Sequence, residues 1–143
     1  MSPKPAPHPG AQRVLDWMGA GRPVPGFIAL AQDPEVHAWL VSTGWSSDGS
    51  SRSTDLVMGV RIGASGVEYA NRAADDHDRA YELSRRLGGL PGEYRKAADR
   101  LYRDKLAEAL RASLEGPFLQ LGLARARIRY AALRLFATGS WHP

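Results

Sequence analysis

The sequence predicts an all-α fold, a compact helical bundle of about five helices. Two observations predict it. Apolar residues recur at three- and four-residue steps through three long segments between Gly66 and Ala137, which is the period of a helix. Clusters of Gly and Pro separate those segments, at Gly88-Gly89, Pro91 and Gly116-Pro117. A third observation argues against a sheet. Only Leu56 to Ile62 alternates like a strand, and a lone strand leaves its ladder groups unpaired.

The elements follow in order. Residues 1–9 hold four prolines and no periodicity, which predicts a flexible tail ahead of a single helical domain over 10–143. Gly10 to Ala20 is a short helix carrying Val14, Leu15, Trp17 and Met18, and it stops before Pro23 and Pro25. Phe27 to Gln32 is a further helical turn. The next helix has a clear start: Asp33 caps the free amides, Pro34 is pre-set for the first helical position, and Glu35 favours the positive end of the dipole. It runs to about Gly44. A Ser/Gly-rich loop near 45–53 is the one internal breakpoint. Leu56 to Ile62 reads as a strand by alternation. It also reads as a helix, with Thr54-Asp55 as cap and Leu56, Val57, Val60 and Ala64 on one face. The want of a second strand favours the helix.

Three long helices complete the chain. In the first, about Gly66 to Leu87, Ala70, Ala73, Ala74, His77, Ala80, Tyr81 and Ser84 share a face. In the second, Pro91 to Gly116, Tyr94, Ala98, Tyr102, Leu106, Leu110 and Leu114 recur every four residues, so the stripe drifts around the axis and its partner must change along its length. Asp99–Arg103, Arg100–Asp104 and Arg111–Glu115 are four apart and predict surface pairs. The third, about Phe118 to Ala137, has two apolar arcs. Leu121, Ala124, Ile128, Ala131, Ala132 and Leu135 form one; Leu119, Leu123, Ala126, Tyr130 and Leu133 form the other. A helix apolar on both sides is buried on both sides, either within its own bundle or against another subunit. Leu119, Leu123, Tyr130 and Leu133 are the candidate subunit interface.

The chain has 143 residues, the size of one ordinary domain, and no cysteine, which removes disulfides and thiolate metal sites. The first residues lack the apolar core of a secretory leader and no run is long enough to span a membrane, so a cytoplasmic location without membrane association is expected. The net charge is +4. Its placement matters more than its size. Leu90 to Pro143 holds ten Arg and Lys against five acids, and Gly116 to Pro143 holds four Arg and no acid. Arginine grips phosphate with two parallel hydrogen bonds, although a GC-rich genome produces the same bias.

Arg95, Lys96, Arg100, Arg103, Arg125, Arg127, Arg129 and Arg134 are therefore the candidate nucleic-acid-binding residues. In an antiparallel hairpin, Arg134 comes beside Arg95 and Lys96, giving a positive strip able to neutralise phosphates. The competing expectation is that these arginines form a solvated face or pair with Glu68, Asp75, Asp76 and Glu82. Trp45 and Trp141, next to flexible segments, are candidate stacking surfaces. The glycines of Met58 to Gly66 match no phosphate-loop spacing. No catalytic residue, metal site or cofactor is expected.

Size, helix content, the arginine-rich last hairpin (Arg95 to Arg103) and the two-sided final helix (Leu119 to Leu135) make the chain similar to the small helical subunits of multi-subunit CRISPR effector complexes. The resemblance is one of profile, with no short motif. It implies a basic subunit without enzymatic activity that stacks with copies of itself and with other protein subunits. It also implies that the arginines hold the backbone of RNA or single-stranded DNA without reading bases. The alternative class is a helical protein–protein adaptor or inhibitor whose arginines face an acidic partner. A third reading starts from Asp75-Asp76-His77-Asp78. Its His77-Asp78 pair resembles that of HD-type metal phosphohydrolases, with His37 and Asp99 or Asp104 as the further ligands such a site needs.

Overall fold

The computed structural model describes residues 6–46 and 56–143. The predicted tail up to residue 5, and most of the predicted loop, lie outside the described residues. The described residues are all-α apart from one minimal hairpin, with seven helices rather than about five. Contacts divide the chain into two compact units, Met1–Ser46 and Ser47–Pro143, whereas a single domain over 10–143 was expected. The division falls in the segment whose composition marks the internal breakpoint. Each unit is described by itself.

The first unit consists of α1 (Pro9–Gly19), α2 (Val24–Ala31) and α3 (Pro34–Ser42). Proline stands in the first turn of each helix, where its missing N–H has no intrahelical partner to lose. Asp33 caps α3 as expected: its Oδ1 accepts from the Glu35 amide at 2.8 Å. The Asp33 carboxyl, which burial alone would raise, is held below its usual value by the Arg13 guanidinium and the Glu35 amide. Val14, Trp17, Phe27, Leu30, Val36 and Leu40 form the core. The Trp17 ring lies 5.8 Å from that of Phe27, and its Nε1 donates to the Pro23 carbonyl at 2.8 Å. The indole thereby packs its body and satisfies its one donor.

The second unit opens with β1 (Leu56–Val57) and β2 (Val60–Arg61), paired antiparallel with Val57 opposite Val60. Helix was the expectation here, on the ground that a strand had no partner. The partner is the same segment folded on itself. Met58 and Gly59 both have positive φ, 51° and 77°, which is the signature of a two-residue turn whose twist matches its strands. Methionine in place of the usual Asn hides that turn in the sequence. Val57, Val60 and Ile62 are buried and become one wall of the core.

Three long helices follow, α4 (Gly63–Arg86), α5 (Gly92–Ser113) and α6 (Gly116–Phe136), then a short α7 (Thr138–Trp141). The drifting stripe of α5 meets α4 through Ala70, Ala73 and Ala74, and meets α6 through Leu123 and Ala126. Leu106 and Leu110 are fully buried at this junction, each worth about 1.5–3 kcal/mol of transfer free energy. Gly122 lets α6 approach: a Cβ there would lie 2.9 Å from a Leu110 methyl and 3.2 Å from one of Val60.

α6 turns one apolar arc inward and the other outward. Leu123 and Ala126 are buried, and Leu119, Tyr130 and Leu133 are half-buried against this chain's own helices. Thus the candidate interface of Leu119, Leu123, Tyr130 and Leu133 is the face already occupied within the unit. Leu121, Ile128 and Leu135 are the exposed arc. The inward arc wins because it faces Leu110 and Tyr102, while the outward arc has no helix beside it among the described residues. Trp141, a candidate stacking surface, is 1% exposed. Its Nε1 donates to the Leu90 carbonyl at 2.6 Å, its ring meets Tyr81 edge-on at 5.0 Å, and its own carbonyl accepts from Ser84 Oγ at 2.8 Å. Trp45 is half-buried, edge-on to His37 at 5.6 Å.

Candidate functional site

The eight candidate arginines and lysine separate into three sets. The first is a buried node built on Asp99, a residue that sequence spacing pairs with Arg103. Asp99 is completely buried on the inner side of α5, one position beyond Ala98. A buried carboxylate is tolerable only when fully hydrogen-bonded, and this one is. His77 Nε2 lies 2.7 Å from Oδ1, Tyr81 Oη donates to Oδ1 at 2.7 Å, and Arg134 Nη1 donates to Oδ2 at 2.8 Å. Arg95 Nε stands 3.8 Å from Oδ2 and donates to Tyr81 Oη at 3.2 Å. Burial alone would raise the Asp99 carboxyl. Hydrogen bonds from His77, Tyr81 and Arg134 outweigh it, and the pKa is held below the usual carboxylate value. The Tyr81 hydroxyl moves the other way, pushed well up by burial and by the Asp99 charge it donates to.

Arg95 also closes a helix end. Its Nη2 donates to the carbonyls of Leu133 and Arg134, two acceptors in the last turn of α6. A cation at the negative end of the dipole both satisfies those groups and favours the helix. Arg95 and Arg134 are therefore structural and are not part of an outward strip. The need of buried Asp99 for countercharge draws them in.

The second set lines a groove between α5 and α6. Arg103, Asp104, Ala107 and Arg111 form one wall and Leu123, Ala126 and Arg127 the other, around a volume of about 360 Å³. Lys96 and Arg100, both exposed, continue the α5 wall at four- and three-residue steps before Arg103. Two of the four acids of α5 are drawn elsewhere. Asp99 is buried, and Glu108 accepts from the Tyr69 hydroxyl at 2.7 Å. Asp104 is the one carboxylate among the lining residues, and Arg103 takes it at 3.1 Å while resting 4.7 Å from the Tyr130 ring. Among the described residues, Arg111 and Arg127 have no carboxylate within ion-pairing distance. Neither expected pair of this wall forms. Arg103 rather than Arg100 holds Asp104, and α5 ends at Ser113, so Glu115 is no longer one helical turn from Arg111.

Arg125 and Arg129 form the third set, on the opposite edge of α6. Arg125 Nη1 donates to the Met58 carbonyl at 3.2 Å, and Arg129 lies 5.8 Å from the Tyr102 ring. Sequence reasoning missed Arg111 because Glu115 looked like its partner. The signal was present in the four-residue step that carries Arg103 through Ala107 to Arg111.

The acids of α4 do not take up these cations. Asp76 holds Arg79 at 2.8 Å, and Glu82 holds Arg85 and Arg86 at 2.7 and 3.0 Å, all on α4 itself. His77 meets Asp99 through Nε2 and lies against the rings of Tyr81 and Tyr102, at 4.6 and 5.0 Å between centroids. No group of three or more His, Asp or Glu able to hold a metal exists among the described residues, so the ligand set of a phosphohydrolase does not assemble there. No described helix is long and apolar enough to cross a membrane.

No protein family, curated protein or solved structure matches the chain.

Proposed function

We propose that the chain is a nucleic-acid-associated assembly subunit that binds the phosphate backbone of RNA or single-stranded DNA along the α5–α6 groove, without enzymatic activity. One observation carries the reading: three guanidinium groups face one carboxylate in a groove with an apolar floor. Lys96 and Arg100 extend the same wall. From Lys96 to Arg111 the wall is about 22 Å long at 1.5 Å per residue. Such a cleft suits a flexible polyanion threading lengthwise, since each phosphate meets a donor fork and each displaced counterion adds entropy. Nothing in the groove presents a set of donors and acceptors that would tell one base from another. Placement of the chain in a CRISPR ribonucleoprotein rests on the resemblance of profile alone and belongs to the same proposal.

The test is retention of a labelled poly-U or poly-dT oligonucleotide. Replacing Arg103, Arg111 and Arg127 by Glu is expected to weaken retention by about a hundredfold or more, since several charge-assisted contacts go at once. Arg134→Gln is the control: it lowers stability but leaves retention by the folded protein within about threefold. Equal retention by the triple variant and the wild type would sink the proposal.

A further inference from the structure

The groove holds one cation whose setting is not that of a phosphate hook. Of the three guanidinium groups that line it, Arg103 already has a carboxylate beside it. Its Nε and Nη2 both donate to Asp104 Oδ1, at 3.2 and 3.1 Å, which pins one edge of the plane. Its Cζ stands 4.7 Å from the centre of the Tyr130 ring, which supports it from behind. The two supports come from different helices, Asp104 from α5 and Tyr130 from α6. Among the described residues, Arg111 and Arg127 have neither a carboxylate nor a ring to rest on.

This clamp leaves one side of Arg103 open. Arg103 lines the groove and Tyr130 does not, so the guanidinium lies between the ring and the groove. The side chain is 38% exposed, so it is held without being covered.

A flat cation fixed in this way suits a nucleobase. Guanidinium planes stack on bases as aromatic rings do, and stacking tolerates every base because each has a π-face. The surroundings agree. Ala107, Leu123 and Ala126 line the groove beside Arg103 and bring no side-chain donor or acceptor to compete with it. The volume of about 360 Å³ lies near the lower end of the roughly 300–1,000 Å³ of small-molecule sites, which is room for one base rather than several. The neighbouring phosphates fall to Arg111 and Arg127.

We infer that Arg103, clamped by Asp104 and backed by Tyr130, is a stacking platform for one base of the bound strand, whatever that base is. The inference rests on the groove reading above and adds the class of ligand: a polymer that carries bases, in preference to polyphosphate and other plain polyanions.

The test is a double cycle on the full chain. One arm is Arg103→Lys, which keeps the charge and removes the plane. The other replaces a poly-dT oligonucleotide by an abasic strand with the same number of phosphates. The wild type is expected to bind poly-dT at least about fivefold more tightly than the abasic strand. Arg103→Lys should lose that preference while holding the abasic strand within about twofold of the wild type. Tyr130→Leu, which keeps the charge and removes the support, should lose it too. Equal binding of the two strands by the wild type would overturn the platform and leave the groove reading standing. A preference for poly-dT that Arg103→Lys retains, or a loss of equal size on both strands, would do the same. Failure of the wild type to bind either strand would overturn the groove reading, and the platform with it.

Discussion

Replacing Asp99 by Ala should be among the most damaging single changes in the second unit. The carboxylate is fully buried and receives His77, Tyr81 and Arg134, with Arg95 at 3.8 Å. Removing it leaves buried Arg95 short of countercharge and strands the Tyr81 hydroxyl. Hydrogen bonds to a charged group contribute about 1.5–3 kcal/mol each, but three on one carboxylate are not additive. The appropriate scale is the roughly 3–5 kcal/mol seen when one partner of a buried ion pair is deleted. Against a total stability on the order of 5–15 kcal/mol, that loss removes a large share. Asp99→Asn keeps the shape and one acceptor but loses the charge, and should lose roughly half as much. Urea unfolding followed by helical circular dichroism at neutral pH reads the difference as a shift in midpoint at unchanged slope. A loss below about 1 kcal/mol for Asp99→Ala would refute the argument that this carboxylate organises the ends of α4, α5 and α6.

One further outcome rests on the same carboxylate and two on glycines elsewhere in the chain. The Asp99 carboxyl is held below its usual value in the fold, so its contribution is complete above the unfolded pKa near 3.8 and is lost as pH falls through the lower folded value. Midpoints measured from pH 6 to pH 2 should drop steeply at the acid end for the wild type and less so for Asp99→Asn. Gly122→Val should destabilise by about 1–3 kcal/mol, because even its Cβ sits 2.9 Å from Leu110. Gly19→Ala, where a Cβ meets nothing, should be neutral within about 0.5 kcal/mol in the same urea assay.

Much of the fold is legible in the residues. The Asp33-Pro34-Glu35 start of α3, the glycines after α4 and the two apolar arcs of α6 each follow from local chemistry, and each is where the pattern puts it. What was illegible depends on distant partners. The Leu56–Arg61 hairpin needs Met58 in a left-handed conformation, which no turn signature announces. α6 shows two arcs of similar apolar content. Their sequence does not say which one faces Leu110, and the arc that spacing offers as a subunit contact is the one that packs on the unit's own core. The cations show the same limit most clearly. Spacing along a helix pairs Asp99 with Arg103, but Asp99 points inward, and its partners come from α4 and from the far end of α6, 22 and 35 residues away. The capture of Arg95 and Arg134 by that carboxylate shortens the predicted strip and shifts it to the α5–α6 groove, where Arg111 joins it.

The groove is tested most directly by the salt dependence of oligonucleotide binding to the wild-type chain. Lys96, Arg100, Arg111 and Arg127 are the cations of that edge for which no described carboxylate is in ion-pairing range, and four phosphate contacts to a single strand give a slope of log K against log salt of about −2.8. A slope between about −2 and −4, the same for unrelated sequences, is the expected result. A slope near zero, or no binding at about 50 mM salt, would contradict the account.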